Sequence, residues 1–149
     1  MISNMYYELV RLLHFAAIFT FAGALVIENI AIKPQVTGVD AHNLAKVNIV
    51  SGVSAIFVLI FGLALWLWVG KPSEFYSSNP IFHAKLGLFS LMVICAITLK
   101  VFYSKHSKSE EEVIEVPQLL RLLLRFQLVL LVVIPLLALL MARGIGGIF

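Results

Sequence analysis

The chain has little of what a water-soluble protein needs. Only 13% of its 149 residues are charged, and its single cysteine, Cys95, excludes an internal disulfide and a thiolate metal centre. Apolar residues make up 61% of the chain, and the mean hydropathy is +1.01. The net charge of +3 does not indicate nucleic-acid binding, because the basic residues flank the apolar stretches. Composition therefore excludes an ordinary soluble domain and favours a membrane protein.

Long apolar stretches are what the chain has instead. They cover residues 9–32, 47–70, 81–103 and 117–142. A bilayer core about 30 Å thick is crossed by about 20 helical residues, so each stretch is long enough to span it. The short connections make neighbouring helices antiparallel. The sequence predicts one all-α domain, residues 1–149, that forms an up-down-up-down four-helix bundle within a lipid bilayer.

Basic residues predict how this bundle is oriented. Most of them fall beside the first and third connections: Lys33, Lys46, Lys100, Lys105, Lys108 and Arg121. Lys71 and Arg143 fall on the opposite side. By the positive-inside rule, the first and third connections are cytoplasmic and both termini are periplasmic. Because the spans are helical, we expect the inner membrane of a bacterium.

The first helix carries two ionisable residues inside the membrane. His14 and Glu28 are separated by a rotation of about 1400°, which is close to four full turns, so they share one helical face. Ala17, Phe21 and Ala24 lie on that face between them. Ionisable groups cost at least ~2.5 kcal/mol in the bilayer, so this face should point into the bundle.

A second histidine makes His14 more informative. His83 follows Asn79, a predicted N-cap, and Pro80, and it falls in the same leaflet as His14. Two neutral imidazoles on separate helices are what axial ligation of haem b requires. We therefore predict His14 and His83 as iron ligands. Basic residues towards the same surface are candidate propionate or substrate partners: Arg11, Lys85 and Arg143.

The opposite leaflet carries a polar cluster. Glu28 reaches a depth similar to that of Arg121 and Arg125 on the fourth helix. A structural ion pair between Glu28 and Arg125 is one interpretation, and a proton or anion relay is the other. Tyr103, near the end of the third helix, is interpreted as an interfacial anchor.

Several local runs carry a family resemblance. They are Leu13-His14-Phe15 with Phe21-Ala22-Gly23, the glycines Gly52 and Gly62, His83-Ala84-Lys85-Leu86-Gly87, and Leu120-Arg121. In order and spacing they resemble HemJ-type protoporphyrinogen oxidases, four-helix bacterial membrane proteins that bind haem b. That family's Asn-Glu-Ala-Pro run is absent from the fourth helix. As a whole, with Met141-Ala142-Arg143-Gly144 near its end, the chain more closely resembles a family of predicted bacterial membrane proteins, domain of unknown function 2214.

The HemJ resemblance implies that His14 is the first haem ligand and that His83 or Lys85 is the next. We expect a haem b-binding membrane redox protein that exchanges electrons with quinone or oxidises a porphyrinogen. The alternative is a cofactor-free accessory subunit or a small proton- or anion-conducting module based on Glu28 and Arg125. Small-residue helix faces would also permit a homo-oligomer.

Overall fold

The computed structural model describes residues 2–108 and 113–147 and is mostly helical. Its elements, in chain order, are α1 Ile2–Ala31, β1 Gln35–Val36, α2 Gly38–Ala64, α3 Ser73–Ser77, α4 Pro80–His106, β2 Ile114–Glu115 and α5 Gln118–Ala142. A π-helical segment, Leu65–Val69, continues α2. α1, α2, α4 and α5 are each long and apolar enough to cross a membrane. The predicted all-α four-helix architecture is confirmed.

The long helices form a four-membered ring. α1 packs against α2 and α5, and α4 packs against the same two helices on the other side. Large apolar side chains cover the outer surface, including Phe19, Ile30 and Trp68, which are 73%, 76% and 79% exposed. Hydrocarbon, unlike water, accepts such a surface without cost, provided that backbone groups are bonded within the helices.

The predicted start of the second helix, residue 47, is wrong. α2 begins at Gly38 because Thr37 and Asp40 form a capping box. The Thr37 hydroxyl accepts a hydrogen bond from the Asp40 backbone N–H at 3.1 Å, and the Asp40 carboxylate accepts one from the Thr37 N–H at 3.0 Å. The predicted cap of α4 is confirmed, because the Asn79 side chain accepts from the Ile81 N–H and Pro80 is the first helical residue.

Two short strands, which the sequence did not predict, close one end of the bundle. β1 and β2 pair antiparallel, with Val36 opposite Ile114, and the Val116 N–H donates to the Pro34 carbonyl at 2.9 Å. Val36, Ile114 and Val116 are buried and belong to the main hydrophobic core. We call these three residues and their two strands the β cap. The core beneath the cap comes from the nearby ends of all four long helices: Leu25, Leu44, Leu99, Leu120 and Leu124.

Candidate functional site

His14 lies where α1, α2 and α4 meet. Its ring is half-buried, and its Nδ1 atom is buried without a hydrogen-bond partner among the described residues, although the ring also interacts with the backbone carbonyl of Val58 on α2. The ring faces Gly62 of α2, where an added Cβ would lie 3.2 Å from the His14 Cε1 atom. The ammonium group of Lys85, on α4, is near enough to interact electrostatically with the imidazole. The His14 ring thus lies beside a glycine, a backbone carbonyl and a cation.

His83 is oriented differently. Its side chain is exposed, and its Nε2 atom lies 2.8 Å from the Ser77 carbonyl oxygen, to which it donates in the matching tautomer. Lys85, two residues further along α4, is half-buried. His83 and Lys85 therefore point to different sides of α4, as the rotation of about 200° between them predicts. To bind iron through Nε2, His83 would have to give up its bond to Ser77.

The other predicted cations lie at the surface of the bundle. Arg11 forms a weak ion pair with Glu8 at 4.0 Å, and its guanidinium lies 5.7 Å from the centre of the Phe15 ring. Arg143 is exposed where α5 ends, and its backbone N–H completes the last helical turn. Lys85 is the predicted partner residue that the structure brings towards His14.

An apolar groove of about 540 Å³ runs along α1 and α2. Small residues line part of it, including Ala16, Ala17 and Thr20 of α1 and Ser54 of α2. Here they leave space between the two helices on the lipid-facing side, next to the helical turn that carries His14.

Glu28 lies at the other end of the same face of α1. The predicted stripe is confirmed, because Ala17, Phe21, Ala24 and Glu28 are all buried, and Glu28 has no solvent-exposed surface. The two carboxylate oxygens of Glu28 accept hydrogen bonds from the Asn48 side-chain amide of α2, at 3.3 and 3.4 Å.

The structure does not form the Glu28–Arg125 ion pair that was considered from the sequence. Within residues 2–108 and 113–147, the one ion pair is between Arg11 and Glu8. Arg125 is exposed because Leu124 and Gln127 face the core, and adjacent helical residues differ in direction by about 100°. Arg121 is partly buried, and its Nε atom has no hydrogen-bond partner in the described part of the chain. With Lys33 and Glu115 it lines a polar groove of about 490 Å³ beside the β cap.

Three further polar groups are buried within the bundle, and the sequence analysis did not identify them as a set. Tyr103 is 1% exposed, so its interpretation as an interfacial anchor is wrong, and its hydroxyl lies within electrostatic range of Glu28. Within residues 2–108 and 113–147, the Tyr103 hydroxyl, the Ser51 hydroxyl and the Gln127 side-chain oxygen have no hydrogen-bond partner. Gln127 donates its amide N–H to the Met92 carbonyl at 2.9 Å. These groups extend the polar interior across α2, α4 and α5.

Clusters of three or more histidine, cysteine, aspartate or glutamate side chains that could hold a metal are absent from the described part of the chain. The histidines outside the predicted site differ in environment. His42 is exposed near the start of α2, and His106 bonds to the Phe102 carbonyl within α4.

Comparison with known proteins gives one match. A family model described as "Predicted membrane protein (DUF2214)" matches residues 7–146. No curated protein and no solved structure matches the chain significantly.

Proposed function

The chain belongs to the DUF2214 family of predicted membrane proteins, and we propose that it is a haem b-binding redox protein with His14 as an iron ligand. Its reaction would be electron exchange with quinone or, as the HemJ resemblance implies, oxidation of a porphyrinogen. The observation that carries this proposal is the buried, unpaired Nδ1 of His14 beside Gly62. We further propose the inner membrane of a bacterium as its location, with both termini periplasmic.

The surroundings of His14 suit a side chain that would hold a haem iron. A buried imidazole nitrogen without a partner is costly unless something binds it, and neutral imidazole is a good ligand for iron. Gly62 gives the ring room on the α2 side, because any larger residue would press on Cε1. When bound, haem supplies one-electron redox chemistry whose potential depends on its axial ligands and on burial.

The chain's own residues have separate roles in this proposal. His14 holds the iron, and the apolar walls of α1 and α2 limit the access of water. Lys85 supplies a positive charge for a propionate or for an anionic substrate group. Arg11 and Arg143 stay predicted partners at the rim. His83 stays the predicted second ligand. To bind iron through Nε2, it would lose its hydrogen bond to the Ser77 carbonyl.

An absorption spectrum tests the proposal directly. Protein purified in detergent after expression with ample haem should show a Soret band and sharp reduced α and β bands. His14→Ala should remove the pigment, while His42→Ala, which changes an exposed histidine, should leave it unchanged. A spectrum that is the same in the native protein and in His14→Ala rejects the ligand assignment.

The second candidate function is a cofactor-free accessory subunit or a small proton- or anion-conducting module. The burial of Glu28 without a cationic partner favours it, because an intramembrane carboxyl group is a candidate for ion transfer. Arg121 and Arg125 would then be the cationic residues of the ion path at the membrane surface. A folded protein without pigment that conducts protons in vesicles supports this candidate over the first.

A further inference from the structure

Glu28 has an unusual environment for a carboxyl group. It is completely buried in a bundle that crosses hydrocarbon, and its hydrogen bonds come from the neutral Asn48 amide. A buried carboxylate without a compensating charge is expensive, and binding a proton removes that cost. The burial and the neutral partner therefore point to a carboxyl group that holds a proton.

In the part of the chain that the structure describes, the elements packed around Glu28 supply polar groups but no cationic partner. α2 contributes Asn48, and α4 contributes the Tyr103 hydroxyl, which is the titratable group within electrostatic range. On α5, Arg125 is exposed, and Arg121 makes no ion pair with Glu28 within residues 2–108 and 113–147. The unpaired Tyr103 hydroxyl offers a buried oxygen that can accept or donate a hydrogen bond.

The β cap separates this polar interior from the nearby membrane face. Glu28 lies one turn before α1 ends, and Tyr103 lies one turn before α4 ends. Both side chains are nevertheless buried, and the β cap residues Val36, Ile114 and Val116 share one core cluster with Tyr103. The β cap therefore lies at the end of the bundle where α1 and α4 finish, which is the end that holds Glu28 and Tyr103.

We propose that Glu28 is a proton-binding site, positioned by Asn48 and within electrostatic range of the Tyr103 hydroxyl, and that the β cap controls its exchange with the adjacent membrane face. In exchange, a Glu28 carboxylate oxygen gains a proton from hydronium at that face, or returns one to water, and no other bond changes. Proton binding at Glu28 does not require haem. A negative result for this proton site can therefore be told apart from a negative result for the redox proposal.

Infrared spectroscopy of the full-length protein in lipid tests the site. At neutral pH, we expect a carbonyl band from a protonated carboxyl group that shifts in D₂O. Glu28→Gln should abolish this band, and Glu74→Gln, which changes an exposed carboxylate on α3, should retain it. The absence of the band in the native protein, or its persistence in Glu28→Gln, overturns the proposal.

The rate at which the band shifts in D₂O tests the role of the β cap. Ile114→Ala removes a side chain that is 3% exposed, and Val113→Ala truncates its neighbour, which is 57% exposed. We expect several-fold faster exchange in Ile114→Ala and the native rate in Val113→Ala. Val116→Ala provides a second cap variant if Ile114→Ala does not fold. If the band shifts in D₂O at the same rate in a folded cap variant as in the Val113→Ala control, the β cap does not control proton exchange.

Discussion

The contact between His14 and Gly62 is the most constrained feature of the proposed haem site. The imidazole has room because residue 62 lacks a side chain, and the nearest atom to an added Cβ would be Cε1 of the ring. The orientation of His14 thus depends on a residue of another helix, and a single methyl group tests that dependence.

Gly62→Ala should shift the His14 ring by a few tenths of an ångström. Haem retention should weaken roughly tenfold, because substituting a residue that orients a metal ligand typically reduces metal affinity by about that factor. Haem content and the Soret maximum measure the effect. Gly52→Ala, on the same helix, is the control because an added Cβ there meets nothing within 4 Å. Equal haem content in both variants argues against this role for Gly62.

For single residues, the helical repeat of the sequence correctly predicted which side chains of α1 face the core. It identified the buried stripe from Ala17 to Glu28, because that stripe depends only on the helical repeat. It could not predict partners on other helices, since these depend on how each helix is rotated in the bundle. Glu28 consequently bonds to Asn48 rather than to Arg125, and Tyr103 points inward.

Among the elements, the end of α2 has the least regular backbone. The π-helical segment Leu65–Val69 is followed by Gly70, where an added Cβ would collide with the Leu65 carbonyl oxygen. The Tyr76 hydroxyl also lies near that position, at 2.9 Å. Glycine is therefore required for this segment to pass into α3 with its present geometry.

Gly70→Ala should destabilise the fold by about 1–3 kcal/mol, the usual cost of forcing extra volume into a packed site. Gly87→Ala, in the interior of α4 with open space around its Cα, should instead stabilise by roughly 0.5–1 kcal/mol through helix propensity. Unfolding titrations in mixed micelles compare the two variants with the native chain. If both substitutions change the free energy of unfolding in the same direction, this account is refuted.

The helices as units were predictable from length and hydrophobicity, but their boundaries were less so. The predicted second span begins at residue 47, where the continuous apolar stretch begins. The Thr37–Asp40 capping box was present in the sequence and would have located the start of α2. The β cap had no such signal, because a pair of two-residue strands is determined by tertiary contact.

For the whole molecule, the distribution of Lys and Arg predicts that the β cap faces the cytoplasm. An impermeant maleimide can test this prediction, since the native Cys95 is 3% exposed and should give little background labelling. In intact cells, Glu74→Cys on α3 should be labelled from outside. Asn43→Cys on α2 should be labelled only after lysis. The reverse pattern shows that the orientation is inverted.

The pairing of β1 with β2 has a consequence for membrane insertion. Strand pairing needs direct contact, so both strands must arrive on the same side, and the chain between them must cross the bilayer an even number of times. If either α2 or α4 alone failed to insert, the strands would be separated by about 30 Å of hydrocarbon. The small sheet can therefore form only in chains that cross the bilayer an even number of times between its two strands.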